Sequence, residues 1–250
     1  MMKKPTVAVF AFLLLVAFLA GPISRAYGDL NAALSDESNS SKNIFSIENW
    51  EELLELAPDV DTDSWKLKLV NFENYIPDDF FVPTAVSADE YLFDERAVDA
   101  LDELLSAGRT AGMQLVLTSA YRSHSYQDGL FQNKVSLILS ETGISRSEAE
   151  NKAARVVARP GSSEHNLGLA ADIVCESYNI LDEGYEGTLE AAWLRENCAE
   201  FGFILRYDKG KENITGVIFE PWHFRYVGID SAQFMMEEGL CLEEFLSLYK

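Results

Sequence analysis

The sequence is poor in several things, and each shortage removes a class of protein. Across 250 residues there are three cysteines, Cys175, Cys198 and Cys241, too few for a disulfide-dense scaffold. No Cys-x-x-Cys pair occurs, which sets aside a thiolate zinc site, and all three read as ordinary core or surface residues. Seven prolines and 15 glycines exclude a collagen-like repeat and chain-wide low complexity. Basic residues are scarce as well: 20 Lys+Arg stand against 41 Asp+Glu, a net charge of −21. Such a surface repels phosphate backbones, so no nucleic-acid partner is expected. Histidine is the scarcest chemically useful side chain, with three copies.

The apolar run at residues 7–20 is shorter than the roughly 20 residues a membrane-spanning helix needs. It follows Lys3 and Lys4 and stops at Gly21-Pro22, the pattern of a signal peptide over residues 1–28, with an uncleaved N-terminal anchor as the alternative. Either way the remainder is expected outside the cytoplasm, secreted or held at the outer face of the membrane through that segment alone. Residues 29–64 read as a polar, acidic linker with one short helix over 48–56. Its alternating Asp59, Asp61 and Asp63 resemble a calcium loop, but the required glycine and terminal glutamate are missing, so a solvated linker is expected.

What is present, from Trp65 to Lys250, is the alternation of a single α+β domain. Ala97, Leu101, Leu104, Leu105 and Gly108 keep helical spacing, with Gly112 as a stop. Residues 114–120 form a buried-strand pattern and residues 126–139 a helix. Ser147 and Glu150 make a capping-box pair opening the next helix, which ends before Pro160-Gly161. A helix over 188–199 offers Ala191, Ala192, Leu194 and Cys198 to the core. Strands are expected at 201–207, 216–219 and 223–227, then two C-terminal helical turns.

Chemistry concentrates around two of the histidines. His165 stands seven residues before Asp172, and the small-residue stretch between them lets the chain turn from loop into strand. His223 lies far along, in Glu220-Pro-Trp-His223. Two imidazoles and a carboxylate make a tripod suited to Zn²⁺ with a position left open, and Glu220 offers a non-ligand base. A hydrogen-bonded His–Asp pair without metal meets the same spacing, and Arg122 after a buried strand equally suits a plain salt bridge. His124 reads as an exposed residue opening a helix.

Three blocks carry a resemblance. Ser119-Ala-Tyr-Arg-Ser123 with Gln127, then Ser163-Glu-His-x-x-Gly-x-Ala-x-Asp172, then Glu220-Pro-Trp-His-Phe-Arg-Tyr-Val-Gly228 together resemble the VanY-type D-alanyl-D-alanine carboxypeptidases, within the wider LAS metallopeptidases. The resemblance spans roughly residues 65–250. It implies an α+β LAS-type domain with a small antiparallel sheet carrying the zinc site between flanking helices. It puts one zinc per chain on His165, Asp172 and His223, the general base on Glu220 and an oxyanion-stabilising guanidinium on Arg122. Ser163 and Gln127 fall where related enzymes contact the peptide terminus, and Tyr207 and Trp222 are expected to line the pocket. The implied substrate is a peptidoglycan stem peptide losing its terminal D-alanine, and the implied enzyme a monomer. An L,D-carboxypeptidase or wall endopeptidase on the same scaffold is the alternative, and a non-catalytic wall-binding module the rival of a different class. A binding module has no need of both Glu220 and Arg122.

Overall fold

A computed structural model describes residues 47–250, so the leader expected at 1–28 and most of the linker lie outside the described residues. Packing begins upstream of Trp65: the unit runs from Glu51 to Lys250. Leu53 on helix α1 (Ile47–Leu56) is buried, and the Tyr249 hydroxyl donates to the Pro58 carbonyl at 2.6 Å. The acidic run after this helix is therefore pinned at its start.

A two-stranded antiparallel hairpin, β1 (Thr84–Val86) and β2 (Leu92–Asp94), precedes helix α2 (Val98–Thr110). The buried Leu101, Leu104, Leu105 and Gly108 form one face of α2, as their spacing predicts. A Cβ at Gly108 would overlap the Leu115 side chain, so glycine is what lets this helix lie close on strand β3 (Leu115–Ser119). Helix α3 (His124–Thr142) is capped by Ser123 and stopped by Gly143 in the left-handed region. Helix α4 (Arg146–Ala153) packs back on α3 through Phe131, Val135, Ala149 and Ala153.

Strand β4 (Ala170–Cys175), helix α5 (Leu189–Asn197), strand β5 (Phe203–Leu205), the short helix α6 (Glu212–Thr215) and strand β6 (His223–Tyr226) complete the centre. Helices α7 (Ile229–Glu238) and α8 (Leu242–Ser247) close the chain. The four-stranded sheet runs β3-β4-β6-β5, every pair antiparallel. All six residues of β4 are buried, so both faces of the sheet are covered. Ala171, Ile173 and Phe224 join the main core with α2, and alternation turns Asp172 and His223 to the other face.

Several sequence expectations shift. The capping box belongs to Ser145 and Glu148, not Ser147 and Glu150: Ser145 has the extended backbone of a cap, whereas Ser147 already lies inside α4. The strand expected at 216–219 does not form: β6 pairs with β4 on one edge and β5 on the other, and residues 216–219 join no sheet. Gly216 instead turns the chain at φ +75° after α6. Ala192 is exposed, while Ala191, Leu194 and Cys198 face inward as expected. The three cysteines are free and buried.

Candidate metal centre and active-site cleft

Strand register builds the centre. Asp172 on β4 is paired with His223 on β6 on one side and with Ser119 on β3 on the other. A slip of one residue would turn these side chains to the opposite face, so burial of the sheet is also what fixes the site. His165 arrives from a single 3-10 turn (Glu164–Leu167), which Gly168 ends at φ +67° before β4 begins. A Cβ at Gly168 would stand 3.0 Å from Val82 and 3.1 Å from the Asp94 amide, so the turn sits tight against the hairpin.

One ligand atom from each of His165, Asp172 and His223 lies within 4.8 Å of the others, and all three residues are buried. His165 Nε2 is 3.3 Å from Asp172 Oδ2, and His223 Nδ1 is 3.1 Å from Asp172 Oδ1. The other nitrogen of His165, Nδ1, donates to the Ala120 carbonyl at 2.6 Å, which leaves Nε2 as the lone pair aimed inward. His223 Nε2 is buried without a hydrogen-bond partner and faces Glu164 Oε2, likewise unpartnered, at 3.6 Å. The donor set of two imidazoles and one carboxylate fits a divalent ion such as zinc, and the orphaned nitrogen of His223 turns to a carboxylate as an outer-shell contact does.

Charge states follow from burial and neighbours. Burial, with Arg122 adding to it, drives His165 down to about 4, so its ring is neutral at pH 7. Burial alone would lower His223, but the hydrogen bond to Asp172 and the nearby Glu164 carboxylate raise it to about 9. Burial likewise opposes ionisation of Asp172, yet the two histidines hold it well below the usual carboxylate range. Glu220 goes the other way: burial raises it to about 8, and Asp172 pushes in the same direction. Its Oε2 lies 3.6 Å from His223 Nδ1. Without metal, this side of the centre therefore stores protons on His223 and Glu220.

Arg122 stands where the strand argument puts it. Its guanidinium donates to Ser119 Oγ at 2.8 Å and to Asp172 Oδ2 at 2.6 Å, with a long contact of 3.5 Å to Gln127 Oε1. Gln127 is fully buried and its amide nitrogen is committed to the Ala158 carbonyl at 2.7 Å, so it props Arg122 in the cleft wall. Tyr207 lays its ring 4.8 Å from that of His223. Trp222 lines the cleft while packing against Val174, Cys175 and Tyr185. Ser163 lines it too, whereas His124 sits at the start of α3, 3.1 Å from Asp78, outside the cleft lining. The cleft itself has a volume of about 430 Å³ and extends from these groups past Leu130, Lys134, Leu137 and Val156.

Sequence reasoning missed the layer behind the metal ligands. Glu164 Oε1 accepts from Arg206 Nε and from Arg225, each at 2.8 Å, and all three side chains are wholly buried. Arg206 also makes a two-pronged contact with Glu243 at 2.8 and 2.7 Å. Burial opposes the charge on Glu164, but the two arginines hold its carboxyl well below the usual range. The available signal was an arginine inside an apolar run, as in Phe203-Ile-Leu-Arg-Tyr207 and His223-Phe-Arg-Tyr226.

Comparison with known proteins agrees with this geometry. Residues 90–229, which contain every site residue named above from Arg122 to His223, match the family model of VanY, D-alanyl-D-alanine carboxypeptidase. YodJ of Bacillus subtilis is 37% identical over 187 residues, 71% of this chain and 63% of that protein, so the chain spans under two thirds of YodJ's length. A D-alanyl-D-alanine carboxypeptidase of Enterococcus faecalis is 39% identical over 76% of this chain and 69% of its own length. Among solved structures, VanYB in complex with D-alanine-D-alanine is 39% identical, with a TM-score of 0.68 over 75% of this chain and 100% of that one. A VanY mutant from a VanB-type resistance cassette, in complex with Zn(II), gives 38% and 0.66 over 73% and 99%. The LD-carboxypeptidase LdcB gives 33% and 0.65 over 76% and 92%. With more than half of its length inside the family model and its candidate metal donors gathered in one cleft, the chain belongs to the VanY family of D-alanyl-D-alanine carboxypeptidases.

Proposed function

We propose that this protein is a zinc-dependent, extracytoplasmic carboxypeptidase that removes the terminal D-alanine from peptidoglycan stem peptides, acting as a monomer. The observation that carries the reading is the meeting, in one cleft, of three metal donors, a buried glutamate and an arginine held by Ser119 and Asp172. His165, Asp172 and His223 are the residues that hold the ion. When bound, zinc supplies Lewis-acid polarisation of the scissile carbonyl and lowers the pKa of water.

The chain's own groups supply the rest. His165 presents Nε2 because Ala120 fixes its tautomer. His223 must give up the proton it carries between Asp172 and Glu220 before Nδ1 can act as a donor. Glu220 takes a proton from the attacking water and returns it to the leaving amine, a role that suits a carboxyl whose affinity for protons burial has raised. The Arg122 guanidinium offsets the negative charge that builds on the carbonyl oxygen. The apolar segment at residues 7–20 after Lys3 and Lys4 supports export to the compartment where stem peptides are found.

The likeness to LdcB favours a second reading, cleavage of an L,D bond in stems already shortened to tetrapeptides. Incubation of zinc-loaded protein with penta- and tetrapeptide stems, products read by mass, separates the readings. Loss of one alanine from the pentapeptide alone is expected. Loss from the tetrapeptide alone moves the assignment to the L,D class, and peptide binding without any loss makes the protein a wall-binding module.

A further inference from the structure

The cleft carries one charge that the chemistry above does not use. The wall contributed by α3 continues from Gln127 through Leu130, Lys134 and Leu137, residues that recur on one helical face. Lys134 is half-buried there, and the positions three and four residues to either side, Leu130, Phe131, Leu137 and Ile138, are all apolar. The acids that line the cleft are Glu164, Asp172 and Glu220, each already engaged at the metal centre. Among the described residues Lys134 therefore has no ion-pair partner, in a protein of net charge −21.

Resting on the carboxypeptidase reading, we propose that Lys134 forms a second subsite of this cleft, one that binds a carboxylate on the peptide upstream of the scissile bond. Spacing selects which carboxylate. Gln127 contacts Arg122, the guanidinium placed at the reacting carbonyl, and seven residues of helix separate Lys134 from Gln127, about 10 Å at 1.5 Å per residue. An extended peptide covers that distance in about three residues. Three residues before the terminal D-alanine of a pentapeptide stem stands a γ-linked D-glutamate, whose α-carboxyl is either free or amidated. The free acid is the form Lys134 recognises, and the amide lacks the charge.

The test uses two soluble pentapeptides, L-Ala-γ-D-Glu-L-Lys-D-Ala-D-Ala and its D-isoglutamine counterpart, with the wild-type protein, Lys134→Met and Lys134→Arg. Wild type should favour the acid by about three- to tenfold in kcat/KM, the size of one partly exposed ion pair, with the difference carried by KM. Lys134→Met should bring the ratio to about one, Lys134→Arg should restore it, and added salt should shrink it in wild type. A ratio of one in wild type, or a preference that survives Lys134→Met at an unchanged thermal midpoint, overturns the subsite. Failure of the carboxypeptidase reading looks different, since neither peptide then loses alanine. In that case calorimetric binding of the two peptides decides: an acid preference abolished by Lys134→Met supports the subsite, and equal binding overturns it.

Discussion

Two buried glutamates face one imidazole from its two sides and are held in opposite charge states. Glu164 Oε2 lies 3.6 Å from His223 Nε2, and Glu220 Oε2 lies 3.6 Å from His223 Nδ1. Burial penalises the charge on both. At Glu164 two fully buried arginines overcome that penalty, and its carboxyl stays ionised. Glu220 has only the shared imidazole and the more distant Arg122 to offset burial, with Asp172 opposing, and it is raised to about 8. The pair shows how one fold makes a fixed charge and a proton carrier from the same side chain, by giving or withholding a close guanidinium. In the proposed reaction Glu164 is the fixed charge beside the His223 ring, and Glu220 is the group that moves a proton.

Removing each glutamate should break the comparison in its own way. The largest effect is expected in turnover at the front of the site. Glu220→Gln should cut kcat by about 10²–10⁴ while zinc content by elemental analysis stays at one per chain. Arg122→Ala should cost about 10²–10³ in kcat with little change in thermal midpoint, and Arg122→Lys should recover part of it. Loss of metal from Glu220→Gln would place Glu220 among the ligands instead.

At the rear the expected effect is on stability. Glu164→Ala leaves Arg225 in the interior with backbone carbonyls alone and Arg206 with Glu243 alone, and removing one partner of a buried ion pair typically costs about 3–5 kcal/mol. Denaturant unfolding of the metal-free protein measures it, beside Glu220→Ala, which strands no charge and should change stability far less. Equal losses in the two variants would mean that the rear network is not the better-satisfied half.

The smallest effect sharpens the contrast through pH. Glu164 has a lowered pKa when folded, so its contribution is present above its ordinary 4.5 and is lost as pH falls below that value. Glu220 is raised, so its contribution is complete below 4.5 and is lost as pH climbs through about 8. His223, raised to about 9, adds to the same alkaline loss above 6.5. The thermal midpoint of chelator-treated protein should therefore fall on both limbs, and Glu220→Gln should flatten only the alkaline one. An alkaline limb unchanged by that substitution would assign it to His223 alone.

The sequence by itself determined most of the elements and, through the resemblance of its motifs, the candidate donors. The apolar spacing of Leu101, Leu104 and Leu105, the strand pattern before Arg122 and the His165–Asp172 interval are local, and local patterns survive without knowledge of the fold. It also misjudged locally: two overlapping Ser-x-x-Glu patterns, at Ser145 and Ser147, competed for one cap, and only the helix start chose between them. The strand expected at 216–219 failed where Gly216 turns the chain after α6, and which segments pair is a property of the whole sheet. What tertiary structure alone decided is the pairing of Asp172 with His223, 51 residues apart, and with it the distance between donors. It also decided that Glu164 meets Arg206 and Arg225 while Glu220 does not, and so which glutamate holds a proton. A pKa depends on burial and on charges a few ångströms away, and the chain order of Glu164 and Glu220 carries neither.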